Sequence, residues 1–141
     1  MFSKIKEECG IFGIYAMENE EELAPTIGIG LSCLQHRGEE SCGIAINDGG
    51  LVTCEKDLGL VSDVFTPDRL AKLPTGKIGI GHVRYSTTGA PKRENAQPIV
   101  KRYAKGNICV VHNGNLTNTE ELRNELEEHG AIFNSTSDTE V

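Results

Sequence analysis

The sequence predicts an α+β domain of stacked sheets. Short β-branched and apolar runs recur between glycines, and only three stretches carry helical periodicity. The run Asp48-Gly49-Gly50 supplies a tight turn between two of the apolar runs, which closes them as a hairpin. Strands that outnumber helices in this way suit sheet-on-sheet packing better than a doubly wound parallel sheet.

Residues 10–16 open the series as a strand. Pro25 suits the first turn of a helix in which Ile27, Leu31 and Leu34 follow at i, i+4 and i+7, with Gly38 as its stop. Gly28 and Gly30 cost that helix about 1 kcal/mol each against alanine, yet let it lie close to a sheet. Residues 43–47 and 51–56 flank the hairpin turn, and a short helix is expected over 68–72. Residues 77–85 and 107–112 are further strands, while Pro98 confines 97–101 to an edge or a strand start. The best-marked helix runs over 119–129: Asn118 or Thr119 can cap it, Glu120 and Glu121 suit its positive end, and Gly130 follows it. Ser137-Asp138-Thr139-Glu140 has the Ser-x-x-Glu spacing of a capping box, but the sequence stops at Val141. The expectation is a C-terminally incomplete piece of a longer protein.

A chain of 141 residues can hold one core or part of a larger one. The net charge of −7 is spread along the sequence, which argues against nucleic acid or an anionic membrane as partner. No apolar run approaches the length of about 18 residues that a membrane helix needs, and the first residues lack a secretory core. A cytoplasmic protein is expected. Cysteines at 9, 33, 42, 54 and 109 make an odd set without framework spacing, which reads as free thiols. With no Cys-x-x-Cys or His-x-x-x-His pair, a zinc site of local spacing is not expected.

Cys9 lies in Glu7-Glu8-Cys9-Gly10-Ile11-Phe12-Gly13, where a polar leader meets an apolar strand. Were residues 1–8 removed, Cys9 would carry a free α-amine beside its thiol. That amine has an ordinary pKa of about 7.7–8.0, so one residue would supply both nucleophile and base. A buried structural thiol at a strand edge is the plainer alternative. Four polar clusters fall at strand ends or glycine turns, where side chains project into clefts: Gln35-His36-Arg37-Gly38, Gly81-His82-Val83-Arg84-Tyr85-Ser86-Thr87, His112-Asn113-Gly114-Asn115, and Ser137-Asp138-Thr139-Glu140. Each alone has an ordinary structural reading, as a surface arginine, an Asn-Gly turn or a helix cap.

Together with Glu8-Cys9-Gly10-Ile11-Phe12-Gly13, and in this order, they resemble the class II glutamine amidotransferase domain of the amidophosphoribosyltransferase family. The resemblance runs from about Glu8 to Val141. The leader and Gln35-His36-Arg37-Gly38-Glu39-Glu40 resemble this purine-pathway branch rather than the fructose-6-phosphate amidotransferases or asparagine synthetases.

The resemblance implies the N-terminal nucleophile hydrolase fold, a four-layer αββα sandwich of two antiparallel sheets, here truncated and therefore expected to be poorly stable and weakly active or inactive when isolated. Residues 1–8 become a propeptide and 9–141 a glutaminase domain. The implied reaction is hydrolysis of the glutamine amide through a thioester on Cys9, with Asn113 and Gly114 as oxyanion donors. Arg84 is implied for the α-carboxylate of glutamine and Asp138 for its α-ammonium, with Thr87, Arg37 and Gly38 lining the pocket. His36, His82 and His112 are expected to be packed or hydrogen-bonded beside the motifs rather than to act as bases. In full-length relatives the ammonia passes to a phosphoribosyltransferase domain and attacks phosphoribosyl pyrophosphate, giving 5-phosphoribosylamine for de novo purine biosynthesis. That enzyme is expected to be a homo-oligomer. No cofactor is implied for the present residues; Mg2+ and, in bacterial members with a propeptide, a 4Fe–4S cluster would be held elsewhere. Two alternatives stand beside this reading: a class II amidotransferase with another acceptor, and a non-catalytic glutamine-sensing module.

Overall fold

The computed structural model describes residues 8–85 and 91–141. Strands β1 (Gly10–Glu20), β2 (Ser41–Asp48), β3 (Leu51–Leu58) and β4 (Gly76–Arg84) form one antiparallel sheet in the order β1-β4-β2-β3. The expected hairpin joins β2 to β3 with Asp48 opposite Leu51. Gly49 and Gly50 sit at φ 56° and 99°, the positive values that a two-residue loop matched to the strand twist demands. Strands β5 (Ile99–Tyr103) and β6 (Gly106–Val110) pair antiparallel as a second sheet, and Pro98 lies just before β5, as its missing N–H requires.

Helix α1 (Leu23–Cys33) packs on one face of the large sheet. It starts two residues before Pro25, which therefore stays in the first turn, and a 3-10 turn at Gln35–Arg37 carries the chain on to Gly38. Leu23, Ile27 and Leu31 of α1 are buried with Cys42, Ile44, Ile46 and Val83 of the sheet. Full burial of such side chains contributes roughly 1.5–3 kcal/mol each, which makes this layer the main stabilising contact. Its closeness depends on hydrogen in place of methyl. A Cβ on Gly79 would lie 2.4 Å from Ile27, one on Gly81 2.6 Å from Ile27, and one on Gly30 2.6 Å from the Phe12 ring.

The alternate residues of β2 and β3 face the second sheet. Lys56 Nζ donates to the Ala96 and Pro98 carbonyls at 2.5 and 3.1 Å, and a Cβ on Gly43 would lie 2.1 Å from the Gln97 carbonyl oxygen. The start of β5 is thereby held tightly over the β2–β3 hairpin. Toward β1 the same face exposes Ile11, Tyr15 and Ile78.

A single turn that was not expected, α2 (Val61–Val64), precedes the short helix expected over 68–72, which is present as a single turn, α3 (Pro67–Leu70). Val61 and Val64 are buried, and Arg69 pins α3 to Glu55 and Asp57 of β3. Helix α4 (Thr119–Glu128) matches expectation, with Gly130 at φ 90° just past its end. Its capping differs: Asn118 makes no side-chain cap bond, and Thr119 Oγ1 donates backward to the Leu116 carbonyl at 3.0 Å. The capping-box pattern at 137–140 forms a single 3-10 turn, Asp138–Glu140, in which Ser137 Oγ accepts from the Thr139 N–H at 3.3 Å.

Candidate active site

Cys9 immediately precedes β1, and the antiparallel register sets Gly10 opposite Val83 near the end of β4. The nucleophile candidate and Arg84 therefore meet at one edge of the sheet although 75 positions separate them (84 − 9). Cys9 has φ 58°, a left-handed conformation that costs a residue with a side chain roughly 1–2 kcal/mol. Three partners hold it there. Its Sγ lies 3.7 Å from the Tyr85 carbonyl, and its own carbonyl accepts from Arg37 Nε at 2.8 Å and Asn113 Nδ2 at 3.3 Å. Burial pushes the Cys9 thiol above its ordinary pKa, opposed by the positive charge of Arg84.

Arg84 points into the same region, half-buried, in an ion pair with Glu40. Gly38 packs against the Arg84 backbone, where a Cβ would lie 2.6 Å from its carbonyl carbon. Arg37 and Gly38 thus support the site through the backbones of Cys9 and Arg84.

A third strand end delivers the Asn-Gly turn. After β6 the chain passes through His112, whose carbonyl accepts from His82 Nε2 at 3.0 Å. His82 is fully buried, and burial holds its pKa down to about 4, so the ring is neutral with its proton on Nε2. The expectation that His82 is hydrogen-bonded rather than a base agrees with this geometry. Gly114 has φ 154°, and a Cβ there would lie 2.8 Å from His112 Nε2. Glycine is required here by the neighbouring imidazole as well as by the backbone.

The 3-10 turn at Asp138–Glu140 supplies the last wall. Asp138 Oδ2 accepts from the Leu116 N–H at 2.8 Å and lies 3.7 Å from His112 Nδ1. Glu140 anchors the turn beneath it, with a side chain 2% exposed. Its carboxylate pairs with Lys101 and accepts from the N–H groups of Asn134 and Ser135 at 2.8 and 2.6 Å, and from Ser135 Oγ at 2.5 Å. Burial alone would raise its pKa, but these donors outweigh burial and hold it at about 2.

Cys9, Arg84, Gly114 and Asp138 line one cavity of about 290 Å3. A thiol, a guanidinium, a positive-φ glycine and a carboxylate thus converge from four chain segments. Such an arrangement can hold a small zwitterion with an electrophilic carbon near the thiol. Asn113 is not among the residues that line this cavity; its Nδ2 rests on the Cys9 carbonyl at 3.3 Å. Thr87 lies outside the described residues, as do residues 1–7 of the expected leader. A larger cleft of about 360 Å3 lies beside Cys54 and Lys56, but burial pushes that thiol up to about 11 and the amine is occupied by two carbonyls. Among the described residues no group of three or more His, Cys, Asp or Glu is placed to hold a metal ion.

Sequence reasoning missed Asn95 and Gln97, which line the cavity, and assigned no role to Tyr85, which also lines it, or to Glu40, the partner of Arg84. The available signal was Asn95-Ala96-Gln97-Pro98, two amide side chains placed just before a proline-started strand.

The glutamine amidotransferase domain model matches residues 65–141. The amidophosphoribosyltransferase of Methanothermobacter thermautotrophicus is 47% identical over 139 residues, which are 99% of this chain and 29% of that protein. That of Methanocaldococcus jannaschii is 53% identical over 133 residues, 94% of this chain and 28% of that one. Among solved structures, the allosteric regulatory enzyme of purine biosynthesis superposes with a TM-score of 0.83 at 44% identity, over 92% of this chain and 27% of that one. The glutamine phosphoribosylpyrophosphate amidotransferase of B. subtilis, complexed with ADP and GMP, gives a TM-score of 0.79 at 42% identity, with the same coverage of 92% and 27%. The expected N-terminal nucleophile hydrolase fold is thereby established, and the chain spans less than a third of the length of these relatives.

Proposed function

Because the chain belongs to the glutamine amidotransferase domain family, we propose that its cavity hydrolyses the side-chain amide of glutamine, with Cys9 as nucleophile. The observation that carries this reading is the convergence of Cys9, Arg84, Gly114 and Asp138 on one cavity of about 290 Å3. Glutamine is a zwitterion at neutral pH, and Arg84 and Asp138 offer one charge of each sign. A site that pairs both ends rejects analogues lacking either, because a buried partner would be left unsatisfied.

In the proposed reaction the leader 1–8 has been removed and the α-amine of Cys9 is free. The amine takes the thiol proton as sulfur attacks the carboxamide carbon. The Gly114 N–H and the Asn113 side-chain amide stabilise the oxyanion, a contribution of about 2.7–4 kcal/mol per donor in comparable sites. Collapse breaks the C–N bond, the amine returns its proton to departing ammonia, and water cleaves the thioester to glutamate. While Cys9 remains joined to Glu8 its nitrogen is an amide, and burial keeps the thiol protonated. Loss of the leader is therefore the activating event. Arg84 holds the α-carboxylate with the guanidinium donors that Glu40 leaves available, and Arg37 and Gly38 fix the walls; Thr87 is assigned to this pocket on the family resemblance alone.

The names of the relatives support a finer reading for the whole protein: the ammonia is delivered to phosphoribosyl pyrophosphate in a transferase domain, giving 5-phosphoribosylamine for purine biosynthesis. Five unpaired cysteines support a cytoplasmic setting. Homo-oligomerisation, Mg2+ and a 4Fe–4S cluster belong to that wider reading, and no step at Cys9 draws on them.

The test is glutaminase turnover of the full-length protein to which these 141 residues belong, with intact mass and labelling by a glutamine-like electrophile. The reading expects loss of residues 1–8, a single label on Cys9, and no ammonia release from Cys9→Ala. Reversible glutamine binding without turnover would replace it with a sensor, and turnover in Cys9→Ala would remove Cys9 from the chemistry.

A further inference from the structure

Gln97 joins two arms of the cavity that sequence places 27 residues apart (139 − 112). It is 4% exposed and lines the cavity. Its Oε1 accepts from the His112 N–H at 2.6 Å, and its Nε2 donates to Thr139 Oγ1 at 3.0 Å. The orientation of the amide is fixed, because only the oxygen can face an N–H. Thr139 Oγ1 in turn lies 3.5 Å from Asp138 Oδ1, so the donor sense runs from Gln97 through Thr139 toward Asp138. Two residues earlier Asn95 repeats the device: its Oδ1 accepts from the Thr136 N–H at 3.0 Å and its Nδ2 donates to Thr136 Oγ1 at 3.0 Å.

We propose that Gln97 is a positioning residue that sets the spacing between the 112–114 arm and the 136–139 arm, so that the oxyanion donors and the ammonium partner of glutamine act as one unit. The inference rests on the glutaminase reading above. Its physical basis is the difference between the ties at this junction. The Leu116 N–H and His112 Nδ1 both reach Asp138 Oδ2, at 2.8 and 3.7 Å, and so use the carboxylate that the ammonium must also engage. Gln97 lies beneath, is shielded from water and makes no demand on that carboxylate. It can hold the spacing while Asp138 turns to substrate. Lys56 fixes Gln97 from below, through the carbonyls of Ala96 and Pro98 on either side of it.

The two ends of the amide have separable consequences. Gln97→Glu keeps an acceptor for His112 but removes the donor to Thr139 and adds a negative charge beside Asp138. Gln97→Met removes both links at similar volume. In the full chain with the leader removed, Gln97→Glu is expected to raise the KM for glutamine about tenfold with kcat within about twofold, the scale of one lost buried hydrogen bond. Gln97→Met is expected to raise KM and to lower kcat about tenfold as well. Thr139→Val should reproduce the KM effect of Gln97→Glu, and the double variant should add little, since the two residues share one link. Rates are normalised to Cys9 labelling, so misfolded protein is not counted; a merely structural role would lower the labelled fraction and leave both constants unchanged. Wild-type KM and kcat in Gln97→Met would overturn the inference while leaving the glutaminase reading intact. An inactive wild-type protein would instead overturn the reading itself, and this inference with it.

Discussion

Arg84 and Glu40 hold each other twice. The guanidinium pairs with the carboxylate, each side chain 15% exposed, and the Glu40 N–H donates to the Arg84 carbonyl at 3.1 Å. The cation proposed for the substrate carboxylate is therefore oriented before substrate arrives, by a partner that also ties the start of β2 to the end of β4. Arg84→Lys tests this. A lysine can keep the pair with Glu40 but cannot present a second pair of parallel donors. The KM for glutamine is expected to rise about ten- to hundredfold, the range for a hydrogen bond to a charged group, with kcat nearly unchanged. Steady-state kinetics checks it; a fall in kcat at constant KM would place Arg84 in the chemical step instead.

Gly114 should tolerate no side chain. A Cβ would lie 2.8 Å from His112 Nε2 on a backbone at φ 154°. Gly114→Ala must rotate the peptide or displace the imidazole, and either shift moves the Gly114 N–H. Loss of one such donor typically slows the chemical step about 100- to 1000-fold. Single-turnover thioester formation is the direct measurement. A wild-type rate would show that the oxyanion donors lie elsewhere.

Acid should weaken the sheet through His82. Its folded pKa of about 4 lies below its ordinary 6.5, so the unfolded chain binds a proton that the folded one refuses. Stability therefore falls as pH drops from 6.5 to about 4, by roughly 3 kcal/mol from this group. His82→Gln retains a donor for the His112 carbonyl without titrating. The opening free energy read from protection factors of the slowest amides in β2 and β4 should lose roughly 3 kcal/mol of its fall across that interval.

Glu140 makes a second acid-sensitive contribution, at lower pH. Its folded pKa of about 2 lies below the ordinary carboxylate value of 4.5, so its stabilisation is complete above pH 4.5 and is lost as pH falls toward 2. Glu140→Gln removes the charge that Lys101 and the two N–H groups address. Exchange protection at Asn134 and Ser135 should fall about tenfold or more, the scale of a charged hydrogen bond. Unchanged protection would mean that packing alone orders the turn.

The elements built from neighbouring residues were legible in the sequence. The β2–β3 hairpin follows from Gly49 and Gly50 accepting positive φ, and α4 with its glycine stop follows from local periodicity and backbone chemistry. The polar clusters were legible for the same reason, since each is a short run at a turn or strand end. Tertiary structure decided the rest. The order β1-β4-β2-β3, the seating of β5 over the hairpin, the pairing of Arg84 with Glu40 and the span of Gln97 from His112 to Thr139 all join residues far apart in the chain. An arginine before Tyr85 carries no local mark of its counter-ion, and a glutamine before a proline none of the two arms it joins. Turn geometry is written in two or three adjacent residues. A buried polar partner is selected only when folding removes water and leaves one group within reach.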